Sequence, residues 1–357
     1  NTGYPDKVNI LGAEIHKTNY WSYFSQDISM VDRLKYGINR ASLFCKLQNP
    51  GYIHQLYREN NSSYFKYLND FKDKFEKFDV IVMNPGVDLV HPEFLHLHFK
   101  SAIKILHFID DPHMTYSYGL PFSWAFDGAT YVSPSFSEHM DMETLLKMAG
   151  FKWSKWMPHC VTNLQSPYWT NHELSKQLES RKEDAIYVGG YYKGKEDRLL
   201  KLKQGLGQKF DIFGRFPLQK RISFCAKSTL KNYQFYRVKS LTEKQRMLKY
   251  FSYKVGINMH LSTPSIETGN ARLYELPFHG VAQVADVSQH SLVENIFENE
   301  KEILLYRDTR ECIDLTKMLL QDDKLRKSIA LNGYKKTISH YTMHKIISDL
   351  IKFLSGF

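Results

Sequence analysis

Two acidic side chains in the last third of the sequence have a spacing that could support chemistry. Glu267 and Glu275 are eight residues apart around a predicted helix start, and Arg272 lies between them. A helix rises about 1.5 Å per residue, so one carboxylate would lie at the helix N-terminus and the other about two turns along it. The carboxylates could accept hydrogen bonds from hydroxyl groups, and Arg272 could neutralise an anion. Two surface glutamates and an arginine paired with a neighbouring acid are the alternatives.

A glycine turn earlier in the sequence could bind an anion. Gly189 and Gly190 follow a predicted strand at 186–188, and Lys193 and Arg198 flank the start of the next predicted helix. Backbone N–H groups and cations in this arrangement stabilise phosphate. The segment has neither the G-x-x-x-x-G-K-[ST] loop nor the G-x-G-x-x-G fingerprint, so ATP hydrolysis and hydride transfer lose support.

A single arginine after another predicted strand is a further candidate. Arg215 follows the apolar run 210–213 and Gly214. Its guanidinium could stabilise a leaving phosphate, because fixed positive charge favours negative charge that develops in a reaction. A surface arginine after a strand is at least as common an arrangement.

Polar residues also follow a predicted strand in the N-terminal half. Asp110, Asp111 and His113 come directly after the apolar run 103–109. Asp111 or its neighbours could bind a hydroxyl group or act as a general base, and a turn with a helix cap is the alternative. Ligands adjacent in sequence rarely all point inward, so we predict no metal site here.

The elements that must position these residues alternate between strands and helices. This alternation predicts an α/β protein with parallel sheets. At 357 residues the chain exceeds the usual size of one hydrophobic core, so two domains are expected. We predict an N-terminal domain over 1–165, a polar linker over 166–184, a C-terminal domain over 185–340, and a terminal helix over 341–357 that could cross back to the first domain.

The strands and helices of the two halves can be assigned from their apolar patterns. Strands are predicted at 8–11, 41–47, 79–83, 103–109, 129–132, 156–159, 186–188, 210–213, 255–260 and 281–284. Helices are predicted at 28–36, at 64–78, from about 196, and over most of 312–353. His16 is expected in the first loop between a strand and a helix.

Charge and composition restrict the partners. The net charge is +10, which suits anionic partners such as nucleotide diphosphates, acidic membrane surfaces or nucleic acid. The four cysteines have no C-x-x-C spacing, which favours a reducing compartment. No apolar run reaches the length of a membrane span and no signal-peptide core is recognisable. We therefore expect a cytoplasmic protein with at most peripheral membrane contact.

The segment from Glu267 to Val284 resembles the E-x7-E region of the two-domain (GT-B) retaining glycosyltransferases, and more closely their spore-maturation CgeB/YkvP-like branch. The shared core is Asn-x-Arg-x-x-Glu, which here runs from Asn270 to Glu275 and is followed by Gly280 and a hydrophobic strand. The resemblance covers about 185–345. Thr268-Gly269-Asn270 replaces the usual Gly-Phe-Gly after the first glutamate.

This resemblance implies two Rossmann-like domains that face each other across a cleft, with C-terminal helices. It implies transfer of a sugar from a nucleotide-diphosphate sugar, with retention of configuration and with no cofactor or metal required. Glu275 would bind the donor ribose and Glu267 would face the sugar. The donor site would comprise Gly189, Gly190, Lys193, Arg198, Asn270, Arg272 and Glu275, and the catalytic groups Glu267, Arg215, Arg272 and Asp111.

Three other functions remain consistent with the sequence. The first is an inverting transferase that uses Asp110, Asp111 or His113 as its base. The second is a nucleotide-sugar or carbohydrate-binding protein without turnover. The third is a glycosyltransferase that acts on modified DNA bases, which the positive charge permits. The acceptor could be a glycan, a lipid-linked molecule or a protein.

Overall fold

The fold is described from a computed structural model. The structure describes residues 7–10, 13–16, 50–83, 90–108, 120–137, 140–161, 169–190, 194–230, 238–260, 270–287 and 293–356. The chain divides into two compact units, Pro5–Pro158 and one that contains His159–Phe357.

The N-terminal unit contains a four-stranded parallel sheet in the order β3-β4-β5-β8. Its elements are β1 (Lys7–Ile10), β2 (Ala13–His16), α1 (Pro50–Arg58), α2 (Ser62–Phe75), β3 (Val80–Met83), α3 (Pro92–His98), β4 (Ile103–Phe108), a 3-10 helix (Leu120–Ala125), β5 (Gly128–Tyr131), β6 (Ser135–Ser137), β7 (Met140–Asp141), α4 (Met142–Met148) and β8 (Trp153–Trp156). The edge strand β3 alternates exposed and buried residues, whereas every residue of β5 is buried. The alternation follows from the two-residue period of a strand with one covered face.

The beginning of the chain corrects one prediction. The strand predicted at 8–11 is present as β1, but it pairs antiparallel with β2 instead of opening a parallel strand-helix unit. His16 is therefore the last residue of β2 and not part of a loop. Two short strands separated by only two residues, one of them Gly12, can form a hairpin, because so short a connection leaves no room for a crossover helix. The predicted helix at 28–36 and strand at 41–47 lie outside the described residues.

The C-terminal unit contains a five-stranded parallel sheet in the order β10-β9-β11-β12-β13. Its elements are α5 (Asn171–Glu179), β9 (Glu183–Val188), α6 (Lys195–Leu206), a 3-10 turn (Gly207–Lys209), β10 (Phe210–Phe213), α7 (Leu218–Leu230), α8 (Glu243–Ser252), β11 (Tyr253–Asn258), α9 (Ala271–Phe278), β12 (Ala282–Asp286), α10 (Val293–Ile296), β13 (Leu304–Tyr306), α11 (Thr309–Gln321), α12 (Asp323–His340) and α13 (Met343–Leu354). The prediction of an α/β fold with two parallel sheets and C-terminal helices is confirmed.

The strand order of the C-terminal sheet creates a switch point. β9 is the first strand of this sheet in sequence but lies between β10 and β11. The chain therefore adds β10 on one side of β9 and β11 on the other side. In sheets of this kind, ligands bind outside the carboxyl ends of the strands at such a point. The backbones of β9 and β10 approach closely at this edge. A Cβ atom on Gly214 would lie only 1.7 Å from the Gly189 carbonyl oxygen.

The predicted linker at 166–184 contains the helix α5. Thr170 and Glu173 form a capping box at its N-terminus, and Leu174 and Leu178 are buried in the C-terminal core. Two leucines four residues apart are enough to anchor a nine-residue helix, although they give only a weak hydrophobic periodicity. The polar composition of this segment therefore concealed a helix of the second unit.

Candidate functional site

The N-terminus of α9 is fixed to the end of β11 by an asparagine. The Asn270 side-chain oxygen accepts a hydrogen bond from the Arg272 backbone N–H at 3.0 Å, so Asn270 caps the helix. Its amide nitrogen donates to the side-chain oxygen of Asn258 at 2.9 Å, and Asn258 is fully buried at the end of β11. Asn270 therefore sets where α9 begins relative to the strand ends.

Arg272 connects the two strands at the switch point. Its Nη1 donates to the Val188 carbonyl at the end of β9 at 2.6 Å, and its Nη2 donates to the Met259 carbonyl after β11 at 3.2 Å. With Nε 3.4 Å from Asn270 Oδ1, these contacts do not use all five N–H groups of a guanidinium. All three acceptors are uncharged. Among the described residues these hydrogen bonds bring no carboxylate to the Arg272 guanidinium; Glu275 acts on it through its charge and Tyr187 through a side-chain contact.

Gly189 makes this position of Arg272 feasible. A Cβ atom at residue 189 would lie 2.0 Å from Arg272 Nη1 and 2.4 Å from the Tyr187 hydroxyl. The Gly189 N–H donates to the Phe213 carbonyl at 2.9 Å, so it is used within the sheet. Gly189 thus acts by leaving space, whereas the next residue, Gly190, is exposed at the end of the turn.

Glu275 lies in the middle of α9, one turn after Arg272. Its Oε1 accepts a hydrogen bond from Arg246 Nη2 of α8 at 3.0 Å, and its Oε2 lies 3.5 Å from the Tyr250 hydroxyl. The Glu275 side chain is 16% exposed. Burial raises the pKa of its carboxyl above the ordinary value, while the positive charges of Arg246 and Arg272 oppose that rise. Arg246 is therefore the partner that favours the ionised form of Glu275 most directly.

Arg198 belongs to a second network at the same edge of the sheet. Its Nη2 donates to Asp286 Oδ2 at 2.8 Å and lies 3.1 Å from the Tyr306 hydroxyl. Asp286 Oδ1 accepts the His260 backbone N–H at 2.8 Å and lies 2.8 Å from His260 Nδ1. Burial raises the pKa of Asp286, but the hydrogen bond from His260 and the charge of Arg198 outweigh burial and bring the pKa to about 2. Arg198 is thus paired with a nearly buried carboxylate.

Sequence reasoning did not select four residues of this edge: Arg246, Asp286, His260 and Lys195. The Lys195 ammonium group, at the start of α6, donates to the Met259 carbonyl at 2.9 Å, the same oxygen that Arg272 contacts. Asp286 and His260 follow or end predicted strands, and that position was the available signal. Arg246 gave no such signal, because it lies inside an amphipathic helix.

The structure brings some of the predicted residues together and not others. Asn270, Arg272 and Gly189 gather at the ends of β9 and β11, and Glu275 lies one turn further along α9, against α8. Arg215 is exposed, and among the described residues no hydrogen bond or ion pair connects it to this group. The predicted residues Lys193, Glu267 and Asp111, together with Asp110 and His113, lie outside the described residues.

Two further properties concern metals and membranes. Within the described ranges, no three His, Cys, Asp or Glu side chains are grouped so that they could hold a metal ion. The described helices include none that is long and apolar enough to cross a membrane.

Residues 196–352 match a family model described as glycosyl transferase-like. The match begins in α6 and ends in α13, so it contains Arg198, Asn270, Arg272 and Glu275. No curated protein matches the chain.

Solved structures share the fold of both units. Sucrose-phosphate synthase from Thermosynechococcus elongatus has a TM-score of 0.55 at 13% identity, over 99% of this chain and 86% of that one. HepE from Anabaena, solved with UDP and glucose, has a TM-score of 0.54 at 13% identity, over 81% of each chain. A TarM variant from S. aureus, solved with fondaparinux, α-GlcNAc-glycerol and UDP, has a TM-score of 0.53 at 12% identity, over 76% of this chain and 54% of that one.

The fold and the family match define a class. The chain has the two-Rossmann-domain architecture of the GT-B glycosyltransferases, and its C-terminal unit carries a glycosyltransferase-like domain. The family match supports the prediction that the protein is a glycosyltransferase, and the solved structures support the fold.

Proposed function

We propose that this protein transfers a sugar from a UDP-sugar, or another nucleotide-diphosphate sugar, to an acceptor hydroxyl, with retention of configuration and without a metal ion. The observation that carries the proposal is the position of Arg272. Its guanidinium spans the ends of β9 and β11 at the switch point, with Glu275 one turn further along the same helix.

The C-terminal domain, proposed to extend over 185–340, would bind the donor. In this proposal Glu275 accepts hydrogen bonds from the ribose hydroxyls, in exchange for part of its contact with Tyr250. The N–H groups of Arg272 that are not used by carbonyl oxygens bind the diphosphate. The backbone of Gly190, Lys193 after it and the more distant Arg215 complete the phosphate contacts. Arg198 would act indirectly, by holding Asp286 and the end of β12.

The reaction breaks the bond between the anomeric carbon and the phosphate oxygen and forms one to the acceptor oxygen. The acceptor proton passes to the departing phosphate oxygen, so no further reactant is needed. Negative charge grows on the diphosphate, and Arg272 stabilises it because the cation is already fixed. Glu267 would face the sugar hydroxyls. The sequence has no aspartate-x-aspartate metal motif at this edge, which supports the metal-independent form.

The N-terminal domain, proposed to extend over 1–165, would bind the acceptor, with Asp111 near the attacking hydroxyl. Complexes of HepE with UDP-glucose and of TarM with α-GlcNAc-glycerol support a UDP-sugar donor and a glycan-type acceptor. The Asn-x-Arg-x-x-Glu core supports placement in the CgeB/YkvP-like branch.

The first test is a thermal-shift and hydrolysis screen of the purified protein against UDP-, GDP-, ADP-, TDP- and CMP-sugars. We expect one nucleotide to stabilise the protein, since a ligand that binds only the folded state raises its stability. Glu275→Ala should abolish this shift, whereas the exposed control Glu294→Ala should retain it. The absence of a shift with every nucleotide would contradict the proposal.

Retention is tested separately by the anomeric configuration of the product. An NMR spectrum of the first product should show the anomer of the donor. The opposite anomer, together with a large loss of turnover in Asp111→Asn, would establish the inverting alternative. Binding without turnover on any acceptor would indicate the sensor alternative.

A further inference from the structure

A basic, acid-free segment surrounds the helix α7 on the C-terminal unit. Between residues 212 and 242 the sequence contains no Asp or Glu and has seven basic residues: Arg215, Lys220, Arg221, Lys227, Lys231, Arg237 and Lys239. The segment alone therefore contributes +7 (seven basic minus zero acidic) to a protein whose net charge is +10. Such a concentration of one sign in a short segment indicates an anionic partner.

Two large aliphatic side chains project from the first two turns of α7. Leu218 is 64% exposed and Ile222 is 61% exposed. They are four residues apart, so they lie on the same face of the helix. A single exposed aliphatic residue needs no explanation. Two such residues on one face of a helix start that has basic but no acidic residues form a surface that is both apolar and basic.

Exposed cations lie beside this pair. Lys220 is exposed on α7, and Lys239 is exposed next to the start of the helix, because its carbonyl accepts the Gly214 N–H at 2.9 Å. Lys227, further along α7, forms an ion pair with Glu196 at 2.7 Å and lies outside this group. We call Leu218, Ile222, Lys220 and Lys239 the α7 surface.

We propose that the α7 surface docks the protein on an anionic phospholipid membrane. The exposed aliphatic pair favours a membrane over nucleic acid as the anionic partner. Nucleic acid would satisfy the cations but offers phosphates and sugars where Leu218 and Ile222 point. A bilayer interface accepts aliphatic side chains in its acyl boundary and attracts lysines to its headgroups.

The location of the surface gives the docking a consequence. α7 follows the carboxyl end of β10 after only four residues, so the surface lies at the edge of the sheet that carries Gly189 and Gly214. The docking itself does not depend on the proposed function. If that function holds, the membrane contact favours a lipid-linked acceptor.

Vesicle sedimentation with the whole chain tests the docking. The protein should sediment with vesicles of phosphatidylcholine and phosphatidylglycerol and should remain in solution with phosphatidylcholine alone. Leu218→Ser with Ile222→Ser should weaken partition about tenfold. Lys220→Gln with Lys239→Gln should weaken it about fivefold for each residue, and added salt should weaken it further.

Matched controls change the same residue types elsewhere on the protein. Met148→Ser removes an apolar side chain that is 72% exposed in the N-terminal unit, and Lys324→Gln removes an exposed cation of α12; both should partition like the wild type. Thermal melts of each variant serve as the control that it is folded. Equal loss in the controls, or unchanged partition in the Leu218→Ser/Ile222→Ser variant, would overturn the proposal.

Two alternative partners of the α7 surface, duplex DNA and a second copy of the chain, are tested with the same variants. Binding to duplex DNA that is tighter than to anionic vesicles and unaffected by the aliphatic substitutions would indicate a nucleic-acid surface and overturn the proposal. A dimer by light scattering that the Leu218→Ser/Ile222→Ser variant converts to a monomer would indicate a second copy and would also overturn it. UDP-sugar hydrolysis in solution should be unchanged in these variants, which separates this test from that of the proposed function.

Discussion

The carboxyl edge of the C-terminal sheet holds two arginines that look alike in sequence and differ in their partners. Arg198 faces a carboxylate, Asp286, at 2.8 Å, whereas the hydrogen bonds of Arg272 go to Val188, Met259 and Asn270, all uncharged acceptors. Arg198 is paired with a carboxylate by a direct hydrogen bond, whereas among the described residues the hydrogen bonds of Arg272 reach no carboxylate, which is why we propose that Arg272 binds the diphosphate. An arginine that follows a glycine turn, such as Arg198, can therefore have a structural partner, whereas Arg272 in the first turn of α9 is the arginine that we propose for the donor site.

The largest expected effect separates the two arginines directly. Arg272→Gln should lower kcat/KM for the donor by roughly a hundredfold or more, the magnitude lost when one fixed charge or donor for a developing anion is removed. Steady-state kinetics measure this change. Its stability cost should be the smaller part, because the Met259 carbonyl keeps its hydrogen bond from Lys195 and Val188 is only half-buried.

The same substitution at Arg198 should have the opposite effects, a large loss of stability and little change in nucleotide affinity. Arg198→Gln leaves Asp286 without its cation and should lower the free energy of unfolding by about 2 kcal/mol, reduced from the fully buried case because Arg198 is partly exposed. Urea titration measures it. The nucleotide Kd of the folded variant should change less than threefold, and a hundredfold change would show that Arg198 contacts the ligand.

The pH dependence of stability sharpens the assignment of Asp286. Its pKa is about 2 in the folded protein against an ordinary 3.8, so the unfolded chain binds its proton first as pH falls. The stabilisation, about 2 kcal/mol, is complete above pH 4 and is lost as pH falls through the folded pKa. Urea unfolding at pH 5 and pH 2.5 should show a smaller difference for Asp286→Asn than for wild type. Asp314, exposed on α11, provides the matched control in Asp314→Asn.

Gly189 tests whether the position of Arg272 depends on the space beside it. Gly189→Ala should displace the guanidinium, since its Cβ would overlap Nη1, and should raise the nucleotide KM about tenfold. Gly190→Ala, at the neighbouring exposed glycine, is the comparison. Equal effects at the two positions would indicate a general loss of turn flexibility instead.

The smallest effect concerns the partner of Glu275. Arg246→Gln removes the charge that opposes the burial-driven rise in the pKa of Glu275, so the carboxylate should become protonated at a higher pH. We expect nucleotide affinity to fall several-fold and its acid limb to move to higher pH, which calorimetry across pH would detect. Arg246→Lys should largely restore the wild-type profile. A uniform loss of affinity at all pH values would assign Arg246 a purely packing role.

Much of the fold could be predicted because the strands are short apolar runs with polar ends. The runs at 103–109 and 210–213 correspond closely to β4 and β10, and the terminal helix is placed correctly. The strand at 8–11 is predicted to open a strand-helix unit but pairs antiparallel with β2, because a local apolar pattern does not show which other segment a strand pairs with. The α5 helix was hidden because its core contact rests on Leu174 and Leu178 alone.

The site was predictable where a residue type has a local geometric role. Gly189 follows from a turn after a strand and Arg272 from its place between two glutamates, whereas Asn270 is implied by the resemblance of the Asn-x-Arg-x-x-Glu core. Asp286 and Arg246 could not be selected in this way, because their importance comes from partners 88 and 29 residues away in the sequence. Arg198 shows the same limit in reverse, since its sequence context suggested a ligand contact and its partner is internal.

A short backbone bridge joins the segment around Thr342 to Val161. Val161 donates its N–H to the Tyr341 carbonyl at 2.8 Å, and its own carbonyl accepts the Met343 N–H at 3.0 Å. Val161 lies just after the division between residues 158 and 159. A truncation before Thr342 would therefore remove the hydrogen bond from Met343 to Val161 at the start of the second unit as well as α13. For expression and tagging, the last sixteen residues are best treated as part of the fold of the second unit rather than as a dispensable tail.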